Sequence, residues 1–248
     1  MEQDKTISRA LNVPETDVQL EFTTQTRTVL ADLYTPVGVY MRLRDLYPQS
    51  VLMESSDYHG HDNSRSFIGV NPIASIRVAH GRVEMNFPDG RKEMRKVDFL
   101  QKGAAKFSVI DAMSEFIAHF KVVGKGKEYC GLYGYTAFNA VRYFEDISVK
   151  DAVMEENDAP DILYIMYRDL IVFDHFNNTM LLLTLVFDGN ESDREAIGQE
   201  RLDNLLKAIQ RVSIKPYGFH PLGEVTSTLT DEQHKENMAQ PINPVGRV

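Results

Sequence analysis

The sequence predicts an α+β fold, mainly antiparallel sheets in a sandwich-like arrangement with a few flanking helices. Strand patterns cluster in pairs around tight-turn dipeptides, at His80-Gly81, Asp89-Gly90 and Asn177-Asn178, and a helix-period pattern falls between clusters instead of following every strand. That spacing excludes a doubly wound parallel sheet. No repeat of ~20–50 residues is visible, which removes solenoids and propellers.

Each element follows from local chemistry. Thr26–Asp32 (TRTVLAD) alternates as a strand does. Thr35 then caps a helix whose first turn holds Pro36 and whose Val39, Tyr40, Leu43, Leu46 and Tyr47 recur at helical spacing until Pro48. Val51–Ser56 (VLMESS) is a short strand running into the loop DYHGHDNS, and SRSFIGV is the strand that follows. From Ala74 to Val97, Ile76/Val78 and Val83/Met85/Phe87 alternate with period two, a meander with turns at His80-Gly81 and Asp89-Gly90. Ser108 caps an amphipathic helix expected to place Val109, Met113, Phe116, Ile117 and Phe120 on one face. After the GKGKE loop, GLYGYTAF reads as a strand and NAVRYFEDI as a helical turn. ILYIMYRDLIVFDH and TMLLLTLVF form a hairpin, and Ser192 opens a long helix with Ile197, Leu202, Leu205, Leu206 and Ile209 inward. Ser213–Leu229 has the Pro, Gly and Thr content of a linker, and Thr230 starts one more helix close to the end of the chain.

Composition narrows the function. The chain has 248 residues, enough for one large domain or two small ones with a core of their own. Its 27 Lys+Arg against 36 Asp+Glu, a net charge of −9, argue against a duplex nucleic-acid binder, which depends on cationic groups for phosphate. No run approaches the ~18 apolar residues of a membrane span. The polar start MEQDKTISRALNVPETD is unlike a signal peptide, and a single Cys cannot form an internal disulfide, so a cytoplasmic protein is expected.

Walker, GxGxxG, HExxH, GxSxG and paired CxxC motifs are absent. Gly124-Lys125-Gly126-Lys127 lacks the spacing of a phosphate cradle and reads as a surface connection. Asp57, His59, His61 and Asp62 have metal-ligand chemistry but no distant fourth ligand, and read as solvated loop residues. Cys130 reads as a packed thiol and Asp174-His175 as turn-capping. What remains are polar groups in apolar strands: Glu54-Ser55 at a strand end, Arg65-Ser66 at a strand start, and Arg142 and Glu145 around Tyr143-Phe144. A carboxylate and a hydroxyl at a strand end can hold the ammonium and a second polar group of an amino acid while aliphatic neighbours hold its side chain. A structural ion pair between Glu54 and an Arg fits the pattern equally.

Leu52-Met53-Glu54-Ser55 resembles the LLES signature of anthranilate synthase component I. TPVGVYMRL before it, RSFIGVNP after it, GLYGYTAFNAVRYFE, DILYIMYRDLIVFDH and LTDEQHKEN are similar to further segments of that family in the same order, over most of residues 22–238. The resemblance implies an enzyme, a carbon–oxygen lyase, that turns chorismate and ammonia into anthranilate and pyruvate with Mg2+ in tryptophan biosynthesis. Its ammonia comes from a partner glutamine amidotransferase subunit. It also implies that Glu54, Ser55, Leu52 and Met53 contact the feedback inhibitor tryptophan. On this reading residues 1–20 are a flexible N-terminus and 21–212 the N-terminal regulatory domain. Residues 213–248 are then a linker and the truncated start of the chorismate-binding domain. The catalytic groups, the Mg2+ ligands and the second wall of the tryptophan pocket would belong to the missing half, leaving this chain inactive alone. Aminodeoxychorismate synthase component I, of folate synthesis, has a similar N-terminal half, and a non-catalytic ligand-binding module is the reading from another class.

Overall fold

The computed structural model describes residues 19–54, 64–98, 107–147, 159–187, 189–211, 223 and 229–239. The expected linker lies almost wholly outside them, as does nearly all of the expected N-terminal segment. The chain divides into two compact units, Met1–Ile214 and Lys215–Val248.

Among its described residues the first unit is built on nine strands: β1 Leu20–Leu30, β2 Val51–Met53, β3 Arg65–Ala79, β4 Arg82–Asn86, β5 Lys92–Lys96, β6 Phe120–Val123, β7 Leu132–Thr136, β8 Ile162–Asp174 and β9 Thr179–Val186. Three helices accompany them: α1 Pro36–Leu43, α2 Val109–Ala118 and α3 Glu191–Arg211. All nine strands join one sheet, ordered β5-β4-β3-β8-β9-β1-β6, with β2 added to β3 and β7 to β8. Every pairing is antiparallel except β1 with β6. The expected α+β class is the observed one. The sheets expected from the hairpins are a single sheet curled on itself: Phe87, just past β4, stacks on Phe120 of β6 with centroids 6.2 Å apart, so strands far apart in the order meet across the core.

The two faces of this sheet hold two apolar clusters, and strand parity sorts residues between them. On β9, Met180 and Leu182 enter one cluster while Leu183 and Leu185 enter the other. A leucine-rich run such as TMLLLTLV would suit a helix by propensity. It is a strand because both of its faces are covered, the situation in which strands read as continuous apolar runs. α1 and α3 cover the first face with Val39, Leu43, Leu202, Leu205 and Ile209. α2 covers the second with Val109, Ala112 and Phe116.

Caps set the helix starts. Thr35 accepts from the Gly38 N–H at 3.0 Å, with Pro36 in the first turn. Ser108 and Asp111 form a reciprocal capping box. α3 begins one residue before the expected Ser192, because the Asn190 side chain accepts from the Asp193 N–H at 3.0 Å. His80 and Gly81, with φ of 50° and 70°, make the tight β3–β4 turn.

Three expectations are corrected. SRSFIGV and the strand beginning near Ala74 are one strand, β3, carried through Pro72 by a bulge at which the register with β8 shifts and Asn71 adopts φ 59°. Pro is tolerated there because a bulge interrupts the ladder. The helix opened by Ser108 ends before Phe120, which is the first residue of β6. Ile117 is 46% exposed, since Ala112 rather than Ile117 completes the buried stripe with Val109 and Phe116.

In the second unit, α4 (Asp231–Ala239) begins as expected at Thr230. The Thr230 hydroxyl accepts from the Gln233 N–H at 3.2 Å, and the Gln233 side chain accepts from the Thr230 N–H at 2.9 Å. Its described side chains are exposed, Met238 by 75%.

Candidate functional site

Two of the polar groups singled out in the sequence, Glu54 and Arg65, lie at one end of β2 and β3. β2 pairs with β3 through Val51–Gly69, Leu52–Ile68 and Met53–Phe67. Leu52 packs into the cluster under α1 and α3. Met53, opposite Phe67, is half-buried on the other face. Glu54 leaves the strand end exposed, and no cation pairs with it among the described residues. Ser55, Asp57, His59, His61 and Asp62 lie outside the described residues.

Arg65 starts β3 on the same face as Phe67. Its guanidinium lies 5.6 Å from the Tyr129 ring centroid and 4.0 Å from the Asp174 carboxylate, while its buried Nε has no hydrogen-bond partner among the described residues. Phe67 sits 6.2 Å from Tyr129 and 5.8 Å from Tyr133, and Tyr133 is 6.5 Å from Tyr167. Together they form an aromatic floor beside a cation. Its depth is set by Gly69: a methyl there would stand 2.6 Å from the Tyr167 ring, which occupies that space and donates its hydroxyl to the Gln49 carbonyl at 3.0 Å. Burial pushes the Tyr167 phenol up to about 12, and raises Tyr133 as well, so both remain neutral donors at physiological pH.

On the opposite face Ser66 Oγ is 2.8 Å from His175 Nε2. Asp174 does cap the hairpin turn, accepting from the Phe176 N–H at 3.1 Å and the Asn177 N–H at 2.9 Å. Burial works against its ionisation, but the Asn177 hydrogen bonds, Arg65 and the Phe176 N–H outweigh it and hold the carboxyl below its ordinary value.

The Arg142 run serves another purpose. Arg142 Nη2 donates to Asp161 at 2.8 Å, and Tyr143 donates to the same oxygen at 2.8 Å while accepting from the Gly81 N–H at 3.1 Å. This buried network fastens the 3-10 turn Phe138–Tyr143 to the β3–β4 turn. Gly124 and Gly126 form a connection tied to β1 by the Thr24 hydroxyl, which donates to the Lys125 carbonyl at 2.9 Å. Among the described residues no three of His, Cys, Asp and Glu gather as a metal site. They offer no carboxylate set that would hold the Mg2+ that the family resemblance implies for the complete enzyme.

Sequence reasoning missed the aromatic floor and a buried carboxylate. Asp169 accepts from Thr184 Oγ1 at 2.5 Å, Asn71 Nδ2 at 2.6 Å and Arg168 Nη2 at 2.8 Å. An Asp inside the apolar run of β8 was the available signal for the second, and a Gly facing tyrosines for the first.

No protein-family model matches the chain. Among curated proteins it is 27% identical over 176 residues to anthranilate synthase component 1 of Thermus thermophilus, covering 71% of this chain and 35% of that protein. Against the Pseudomonas putida protein of the same name it is 27% identical over 230 residues, covering 88% and 43%. This chain is similar to anthranilate synthase component 1 proteins. The Lactococcus lactis anthranilate synthase component 1 adds a match at 23% identity over 222 residues, covering 86% of this chain and 44% of that protein. The chain therefore spans less than half the length of these anthranilate synthase relatives. A crystal structure of anthranilate synthase component I from Streptococcus pneumoniae aligns with TM-score 0.37 and 18% identity over 75% of this chain and 37% of that one. The similarity rests on the sequence matches. No helix among the described residues is long and apolar enough to cross a membrane.

Proposed function

We propose that this chain is the N-terminal regulatory portion of anthranilate synthase component I. The complete enzyme would convert chorismate and ammonia from a glutamine amidotransferase subunit into anthranilate and pyruvate, under feedback inhibition by tryptophan. The supporting observation is that anthranilate synthase component 1 proteins match 71–88% of this chain across three organisms. The β2 end suits half of a tryptophan site. Glu54 offers a carboxylate to an ammonium, Met53 an apolar wall, and Arg65 a cation for a carboxylate, its Nε–H having no partner among the described residues. Tryptophan held between this half and the catalytic half would favour an arrangement that binds chorismate poorly, and linkage makes that antagonism reciprocal.

Two measurements test the reading. The chain mixed with chorismate, Mg2+ and ammonium should yield no anthranilate fluorescence above background, and turnover would place catalysis here instead. In a polypeptide carrying the catalytic half as well, Ser55→Phe should relieve tryptophan inhibition with uninhibited turnover nearly intact. Equal inhibition of both proteins would remove Ser55 from the site.

A further inference from the structure

The sheet forks at β8. Its C-terminal half carries β9 and, through it, β1 and β6, whereas its N-terminal half carries β7. Between the branches lies a cavity of about 430 Å3. Tyr164 and Met166 of β8 line its floor, Phe120 of β6 and Met113 of α2 one wall, and Cys130 and Gly131, just before β7, the other. Among the described residues no charged side chain lines it. Its two polar side chains have partners already. The Tyr164 hydroxyl is 3.1 Å from Thr136 Oγ1, and the Cys130 thiol donates to the Gly126 carbonyl with Sγ to oxygen at 3.8 Å. Burial pushes that thiol up to about 12, so it stays neutral. A methyl added to Gly131 would meet no atom within 4 Å.

We propose that this cavity is a binding site for a small, uncharged, mainly apolar molecule. Its volume falls in the ~300–1,000 Å3 range of small-molecule sites, and it is formed by strands and a helix already fixed in the core. A charged or zwitterionic ligand would lose its hydration there and gain no partner. Met113 and Met166 offer flexible, polarisable thioethers to an aromatic ring. A protein partner fits less well. Stable interfaces cover ~800 Å2 on each side, whereas Ile117, at 46%, is the one exposed side chain among the described lining residues, so a flat partner would touch the rim and leave the cavity empty. The site is separate from the β2 end and does not depend on the function proposed above.

The test is a titration of the 248-residue chain with the neutral fluorophore N-phenyl-1-naphthylamine, with methionine methyls labelled for NMR. Saturable one-to-one binding is expected, with the Met113 and Met166 methyl signals shifting together. Gly131→Leu, which has room to place its side chain in the wedge, should weaken binding roughly ten-fold or more, about 1.4 kcal/mol, at an unchanged unfolding midpoint. Absence of saturation, shifts confined to other methionines, or unchanged affinity in Gly131→Leu would overturn the proposal. So would sedimentation showing a dimer that Gly131→Leu dissociates, since a second copy would then be the occupant. Should Gly131→Leu fail to fold, the methyl shifts of the unaltered chain decide.

Discussion

Gly69→Ala places a methyl 2.6 Å from Cγ and Cδ2 of Tyr167. Carbon atoms in contact prefer ~3.5–4.0 Å, so the ring must retreat by about 1 Å. It has little freedom to do so. Tyr167 is 4% exposed, the clashing atoms sit at the base of the ring, and its hydroxyl is tied to the Gln49 carbonyl. Overpacking of this kind costs ~1–3 kcal/mol, and losing the hydroxyl's hydrogen bond adds about 1. The expected loss is therefore ~2–4 kcal/mol. In urea unfolding, with a slope of ~2 kcal/mol/M, the midpoint should fall by roughly 1–2 M with the slope unchanged. A displaced, wetter ring should also ionise at lower pH than the value of about 12 that burial imposes. The decisive control is Tyr167→Ala, in which the clash is gone and Gly69→Ala should cost less than ~0.5 kcal/mol. Equal costs in the two backgrounds would refute the claim that Gly69 exists to seat this ring.

Other consequences follow from the buried polar groups. Asp169→Ala strands the donors of Thr184, Asn71 and Arg168 and should cost ~3–5 kcal/mol, whereas Thr184→Val, which removes one donor to a charged acceptor, should cost ~1.5–3. A larger loss for Thr184→Val than for Asp169→Ala in the same urea assay would contradict that ranking. Because the Asp174 carboxyl is held below its ordinary value, its stabilisation is present above the unfolded value of ~3.9 and disappears as pH falls through the folded one. The unfolding midpoints of the unaltered chain and Asp174→Asn should therefore converge on acidification below about pH 4, and a gap that widens there would reverse the sign.

Much of the β2 end was readable in advance and part was not. Leu52 and Met53 were legible as strand residues because a short apolar run before a polar break marks a strand end whatever lies beyond. Arg65 stood out as a cation at a strand start, yet its neighbours did not, because Tyr129, Tyr133 and Tyr167 are separated from it by 64 residues or more and periodicity carries no information at that range. The choice between a ligand site and an ion pair at Glu54 was equally open. The structure bears on it through long-range pairing: Arg65 turns to Tyr129 and Asp174, and Glu54 has no cation among the described residues.

By itself the sequence determined the α+β class, the caps at Thr35 and Ser108, the turns at His80-Gly81 and Asn177-Asn178, and a resemblance carried by ordered short motifs. All of these depend on residues within a few positions of one another, where dihedral preference and side-chain capping act directly. Only the tertiary structure decided that the hairpins form one curled and forked sheet, that Pro72 lies within a strand, and that Asp169 is buried among donors. It also decided that β7 and β9 branch from β8 and leave an apolar cavity between β7 and β6. Those outcomes depend on register and closure between distant strands, where each contact is fixed by packing that no local segment contains.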